Sequence, residues 1–235
     1  LPILDEDALK QAVESLSCMQ PENMQAPQDA CVSATDDGYA VIPEEQGTTL
    51  EEEKVIDGIR QALVNGETVC DLDAADCYAK PQILHDNADL QAQADAINQK
   101  LSASLTMDFG TDRQEVLDKT TLKDWVVQAE DGSYAIDEAK VTEYVAGLAQ
   151  KYDTVDSERS FTTTSGSTVT LTPGDYGWKI DQNSTTANLL DAINNGTQGA
   201  FEIVYLATAM SREANDIGSS YVELSLSDQH FWVYV

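Results

Sequence analysis

Hydrophobic and polar positions follow two periods along this chain of 235 residues. The helical period appears in LDEDALKQAVESLS, where Leu9, Val13 and Leu16 recur at the spacing of a buried stripe. It returns in IDEAKVTEYVAGLA with Val141, Val145 and Leu148. Each stretch opens on an Asp before an acidic first turn, Asp5 and Asp137, as an N-cap should. Laying Leu4-Asp5-Glu6 over Ile136-Asp137-Glu138 also aligns the segments downstream of each. Each copy then has an aromatic strand (GYAVI, GWKI), a second amphipathic helix stopping at Asn-Gly (ALVNGE, AINNGT) and a closing apolar strand (TVCDL, FEIVYL). The second copy carries an extra leading stretch. It comprises a helix over about Ala88 to Ser104 with Leu90, Ala94, Ile97 and Leu101 on one face, then LTMDFG, TTLKDWVV and the turn EDGS. The pattern predicts an α+β protein of two related repeat units, with helices packed on small antiparallel sheets.

The strand period dominates the end of the chain. From Ser220, Val222, Leu224 and Leu226 alternate with Tyr221, Glu223 and Ser225, as in a half-buried strand. After the polar Ser227-Asp228-Gln229, Phe231 to Val235 reads as a second strand. An isolated terminal β-hairpin is unstable alone in water, so it is expected to open a further domain. The expected organisation is a first unit over 1–83, a second over 84–208, a polar linker over 209–220 and the first strands of a truncated domain over 221–235. A first residue other than Met leads to the expectation that an upstream segment has been removed.

Charge narrows the partners. With 42 Asp and Glu against 13 Lys and Arg, the formal charge is −29, which repels nucleic acid and anionic membrane surfaces. The acidity reads either as a solvated surface or as a cation-binding one. The clusters Asp36-Asp37, Glu44-Glu45, Glu51 to Glu53 and Asp71-Asp73-Asp76 lack the spacing of an EF-hand loop. No apolar run approaches the ~20 residues of a membrane span, and no signal peptide is visible. Four cysteines, Cys18, Cys31, Cys70 and Cys77, form no CxxC pair, and neither His85 nor His230 completes a zinc site with them, so no metal or cofactor is expected. They read as one or two disulfides with three pairings open, or as buried free thiols. Tyr39, Trp125, Tyr176 and Trp178, with Phe161, read either as a platform for sugar rings or peptides or as core aromatics of each unit. TTTSGSTVTL reads as a hairpin around Gly166. Ser165 there lacks a nucleophile elbow and a nearby His. Asn183 and Asn195 match the glycosylation acceptor pattern.

Taken together, YVAGLAQKYDT, FTTTSGSTVTL and GDYGWKID resemble the peptidoglycan-binding domain found as tandem copies ahead of the catalytic domain in Gram-positive L,D-transpeptidases. NDIGSSYVELSLSDQHFWVYV resembles the opening strands of that YkuD-type catalytic domain, and APQDACV, VIPEEQGTTL and CYAKP resemble the family's first, cysteine-bearing copy. The resemblance spans essentially the whole chain. It implies a secreted, N-terminally anchored wall enzyme that joins stem peptides by acyl transfer through a Cys in a Ser-x-Gly-Cys stretch. This chain departs there. It has no Ser-x-Gly-Cys, none of its four cysteines follows a Gly, and no cysteine follows His230. No catalytic residue is therefore expected within it, and the resemblance favours disulfides among the four cysteines.

The resemblance implies a binding module for peptidoglycan, by glycan or stem peptide, with avidity from two copies. It also implies an extracytoplasmic place, with membrane attachment only through an anchor outside the chain. Oligomeric state stays open. The rival readings are a passive spacer and an acid-using wall hydrolase.

Overall fold

The structure, a computed structural model, describes residues 5–213 and 215–235. Leu4, the first residue of the repeat alignment, lies outside them. Contacts divide the chain into two compact units, up to Asp95 and from Ala96.

In the first unit, α1 (Glu6–Glu14) starts where the Asp5 carboxylate accepts from the Ala8 N–H at 3.1 Å. Its stripe buries Leu9 and Val13, but the helix ends before Leu16, which stays 39% exposed. Two side chains stop it. Ser15 Oγ donates to the Ala12 carbonyl, and the Gln20 amide donates to the carbonyls of Glu14 and Leu16. β1 (Cys31–Thr35) and β2 (Gly38–Ile42) form an antiparallel hairpin turning at Asp36-Asp37. α2 (Glu52–Asn65) packs on α1 and ends on Gly66 at φ 75°, the predicted Asn-Gly stop. Leu9, Val13, Leu50, Val55 and Cys77 make the core, flanked by Met19, Met24, Ile56, Ile59 and Leu72.

The predicted strand TVCDL does not form. Asp71 Oδ1 accepts from the N–H groups of Asp73 and Ala74, winding 71–77 into a turn that leaves Val69 76% exposed. α3 (Ala88–Leu101) carries the predicted face, with Ala94, Ile97 and Leu101 buried, and ends at Leu101 rather than Ser104.

The second unit runs through β3 (Ser104–Asp108), β4 (Gln114–Leu117), α4 (Lys119–Lys123), β5 (Val126–Gln128), β6 (Tyr134–Ile136), α5 (Glu138–Tyr152), β7 (Arg159–Thr162) and β8 (Thr168–Leu171). It continues with β9 (Lys179–Ile180), α6 (Gln182–Asn194), β10 (Gln198–Phe201), β11 (Tyr205–Ala207), β12 (Tyr221–Ser225) and β13 (His230–Tyr234). Asp137 and Asp181 cap α5 and α6, which pack against each other and bury Val141, Val145 and Leu148 on one helix and Leu189 and Ile193 on the other. The largest sheet has the order β10-β3-β4, and its β10–β3 pair is parallel. The other sheets are antiparallel two-stranded pairs, so the architecture is α+β with a terminal hairpin of β12 on β13. FEIVYL is split into β10 and β11 because the Val204 backbone is diverted. Its carbonyl accepts from Asp181 and its N–H donates to Thr185 Oγ1. Among the described residues no helix is long and apolar enough to cross a membrane.

Candidate functional site

The chemistry-rich part of the second unit is built where GDYGWKID meets the segment after β11. Gly177 sits at φ 143°, and a Cβ there would lie 2.5 Å from the Val155 nitrogen, so only glycine lets this loop pass so close. That turn places Tyr176 and Trp178 on either side of it. The Trp178 indole N–H donates to the Ser211 carbonyl at 2.7 Å, and its face carries the Arg212 guanidinium, 3.7 Å from the ring centroid. Tyr205 meets Trp178 edge-on and holds Arg212 through its hydroxyl at 2.6 Å. The Tyr176 hydroxyl accepts from the Met210 N–H and donates to the Asp216 carbonyl, each at 2.9 Å.

Beneath them lies an ion pair shielded from solvent. Arg159 donates to Asp216 through Nε at 2.7 Å and Nη2 at 2.8 Å, and their side chains are 13% and 5% exposed. Nη2 also reaches the carbonyls of Thr154 and Tyr176. The Thr154 hydroxyl donates to Asp216 Oδ2. The Arg159 guanidinium holds the Asp216 carboxyl below its usual value, against the opposing effect of burial. A second close approach binds the same segment elsewhere: a Cβ on Gly110 would lie 2.3 Å from the Arg212 carbonyl oxygen. Met210, Ser211, Arg212 and Asp216 are thus each held against the body of the second unit.

β7, β8 and the terminal hairpin together line a groove of about 520 Å³. Phe161 meets Tyr221 edge to face, Tyr221 stacks on Tyr234, and the Glu223 carboxylate accepts from the Thr164 N–H and hydroxyl. Thr163, Ser165, Ser167, Val169, Asp228 and Trp232 are among its walls. The groove offers ring faces, aliphatic side chains and hydroxyls together with the carboxylates of Glu223 and Asp228, and no lysine or arginine lines it. The hairpin seats its Tyr221 and Glu223 side here, and its opposite face is bare. Val222, Leu224, Phe231 and Val233 are 59–67% exposed.

The four aromatic candidates do not share one role. Tyr39 lies on β2 of the first unit, half-buried. Trp125 is buried after α4, tilted on Tyr144, whose hydroxyl burial has pushed up to about 12. Tyr176 and Trp178 are brought together, and Tyr176, at 42%, is the most exposed of the four. The partners of Trp178, Arg212 and Ser211, escaped the sequence reading. The only signal was an arginine within the polar connector. The four cysteines carry free thiols, with Cys18 and Cys31 exposed and Cys77 fully buried. The acidic clusters are engaged locally: Glu44 with His85, Glu51 with Lys54, Asp76 with Lys54 and Lys80. Among the described residues no group of three or more His, Cys, Asp or Glu converges as a metal site.

The second unit is thus an α+β body whose groove is lined by aromatic, aliphatic, hydroxyl and carboxylate side chains. Residues 88–202 match the family described as "Putative peptidoglycan binding domain", from the first residue of α3 to one residue past β10. No curated protein matches the chain. Two solved structures are similar to it. One is the avibactam carbamoyl enzyme of Ldtfm, with 25% identity, 62% of this chain, 56% of that chain and a TM-score of 0.49. The other is a cysteine-to-serine mutant of the Enterococcus faecium L,D-transpeptidase, with 25% identity, 61% and 56% coverage and a TM-score of 0.47. The chain spans a little over half the length of either.

Proposed function

We propose that this chain is the wall-binding region of a cell-wall L,D-transpeptidase of a Gram-positive bacterium, working outside the cytoplasm and holding peptidoglycan through its second unit. The observation that carries the reading is the family match over 88–202, whose bounds coincide with the body from α3 to β10. Peptidoglycan is the partner that this match supports. The groove between the β7–β8 and β12–β13 hairpins is the surface proposed to take it, with Tyr176, outside the groove's lining, as the sequence candidate whose ring is most exposed. Tyr39, on the first unit, is proposed as the second contact. The bare apolar face of Val222, Leu224, Phe231 and Val233 fits a hairpin that further strands of a catalytic domain cover.

Co-sedimentation of the chain with purified Gram-positive sacculi, over a salt series with calcium or EDTA, tests this. Saturable binding that falls at least tenfold in Phe161→Ala and Tyr176→Ala variants is expected. Absence of binding under every condition overturns it. One observation favours a second reading, a spacer that fixes the height and direction of a following domain: Trp178 and Arg159 are committed to holding Ser211, Arg212 and Asp216. Replacement of the chain by an unrelated rigid domain of equal length would preserve wall cross-linking in cells under that reading and abolish it under the first.

A further inference from the structure

The loop after α2 brings two cysteines to one point. Residues 72–77 close a helical turn in which the Cys77 N–H donates to the Leu72 carbonyl at 2.9 Å and the Asp76 N–H to the Asp73 carbonyl at 3.0 Å. Asp76 between them is at φ 55°. This is the Schellman arrangement of a terminating turn, built on a left-handed aspartate, and it folds Cys77 back toward the residues that precede the turn. Cys70 stands just before it.

Both sulfurs converge on the bare backbone of Gly58 in α2. Each lies 3.5 Å from the position a Cβ on Gly58 would occupy, so the sulfurs are separated by at most twice that distance. The glycine leaves a gap floored by helix backbone and walled by Ala75, 3.2 Å from the same point. The two thiols differ in access. Cys77 is fully buried, its hydrogen directed to the Lys54 carbonyl at 3.4 Å, while Cys70 lines an open depression with Asp57, Gln61 and Asp71.

We infer that Cys70 and Cys77 form an intramolecular disulfide that staples the loop against Gly58 when the chain stands in an oxidising medium. Of the three pairings four cysteines permit for two bonds, this geometry selects the one that contains Cys70–Cys77. The oxidant is a disulfide, carried by a dithiol oxidoreductase or by oxidised glutathione. Cys70, the accessible thiol, attacks one of its sulfurs as the thiolate, releasing one thiol and leaving a mixed disulfide. The Cys77 sulfur, once deprotonated, displaces the second thiol. The two hydrogens of the protein thiols end on the two thiols released, and the protein is oxidised by two electrons as the donor is reduced. Burial pushes the Cys77 thiol up, which suits it to resolve rather than to initiate the exchange. The inference requires an oxidising medium and no peptidoglycan ligand, so it stands or falls apart from the proposed function.

Peptide mapping of the full chain tests it. After equilibration with oxidised glutathione, alkylation without reductant and trypsin digestion, the peptide 61–100 contains Cys70 and Cys77 and no other cysteine, because Lys80 precedes Pro81. Cys18 and Cys31 share the peptide 11–54. Peptide 61–100 is expected unalkylated and two hydrogens lighter than its reduced form. Its recovery cross-linked to 11–54, or alkylated at both cysteines, overturns the inference. Since Cys77 is a core residue, Cys70→Ser is the variant of choice for a second readout. Reductant should lower the Tm of the parent by about 5 °C more than that of Cys70→Ser. Equal falls in the two proteins overturn it as well.

Discussion

α1 and α5 begin alike and end differently. Both start on an aspartate whose Oδ1 accepts a backbone N–H of the first turn, at 3.1 Å in α1 and 2.9 Å in α5, and both bury the next two apolar residues of their stripe. The third position separates them. Leu16 lies past the end of a nine-residue helix, whereas Leu148 is buried, 4% exposed, inside one of fifteen. The local cause is the pair of side chains, Ser15 and Gln20, that take the terminal carbonyls of α1 and turn the chain toward Pro21. The tertiary cause is α6, which gives the later turns of α5 a surface to pack on. Equivalent starts therefore do not make equivalent helices, because a start is a property of four residues and a length needs a partner.

Substitutions at the third position break the comparison most sharply. Leu148→Ala should cost about 3 kcal/mol, while Leu16→Ala should cost no more than about 0.5 kcal/mol, read by urea unfolding. Comparable losses would make the two helices equivalent after all. Of similar size is Asp216→Ala, which strands the Arg159 guanidinium away from water and should cost about 3 kcal/mol, with no ion pair as buried among the described residues of the first unit. Asp216 is held below its ordinary value, so its contribution is present above the unfolded value of 3.8 and is lost as pH falls through the lower folded value. The parent should therefore lose stability in acid more steeply than Asp216→Ala.

The helix starts sharpen the likeness instead. Asp5→Ala and Asp137→Ala should each cost about 1 kcal/mol, and a difference well beyond that scale between them would deny the shared cap. The smallest effect concerns the first unit. The Glu44 carboxylate beside His85, 3.1 Å from Nδ1, raises the imidazole above 6.5. Because the folded value is the higher one, stabilisation from this pair is full below pH 6.5 and disappears as pH rises through the folded value. Proton NMR should show the His85 midpoint return to its ordinary range in Glu44→Gln, and an unchanged midpoint would remove Glu44 as the cause.

Much of the fold was legible because its signals are local. The Asn-Gly stops appear as Gly66 at φ 75° and Gly196 at φ 63°, and the second has a strict reason, since a Cβ there would lie 2.5 Å from the Gln99 carbonyl oxygen. The hairpin around Gly166 and the face of α3 also conform to the pattern. TVCDL misled because its apolar residues outweighed Asp71, whose side chain captures two N–H groups and winds a turn in place of a strand. In the site, the aromatic positions were readable, but their contacts were not. Trp178 meets Arg212 and Ser211 through a connector that reads only as polar.

What the sequence determined by itself is where the Asp-capped helices begin and where the Asn-Gly stops fall, since caps and Asn-Gly pairs act over a handful of residues. The tertiary structure alone decided the parallel pairing of β10 with β3, the fastening of Ser211 and Asp216 by Trp178 and Arg159, and the side of β12 that is covered. Alternation marks two faces of that strand without ranking them. Here Thr164 and Phe161, distant in sequence, engage Glu223 and Tyr221, and leave the more apolar Val222 and Leu224 bare. A face is chosen by the partner that reaches it, and partners far along the chain leave no mark on its local period.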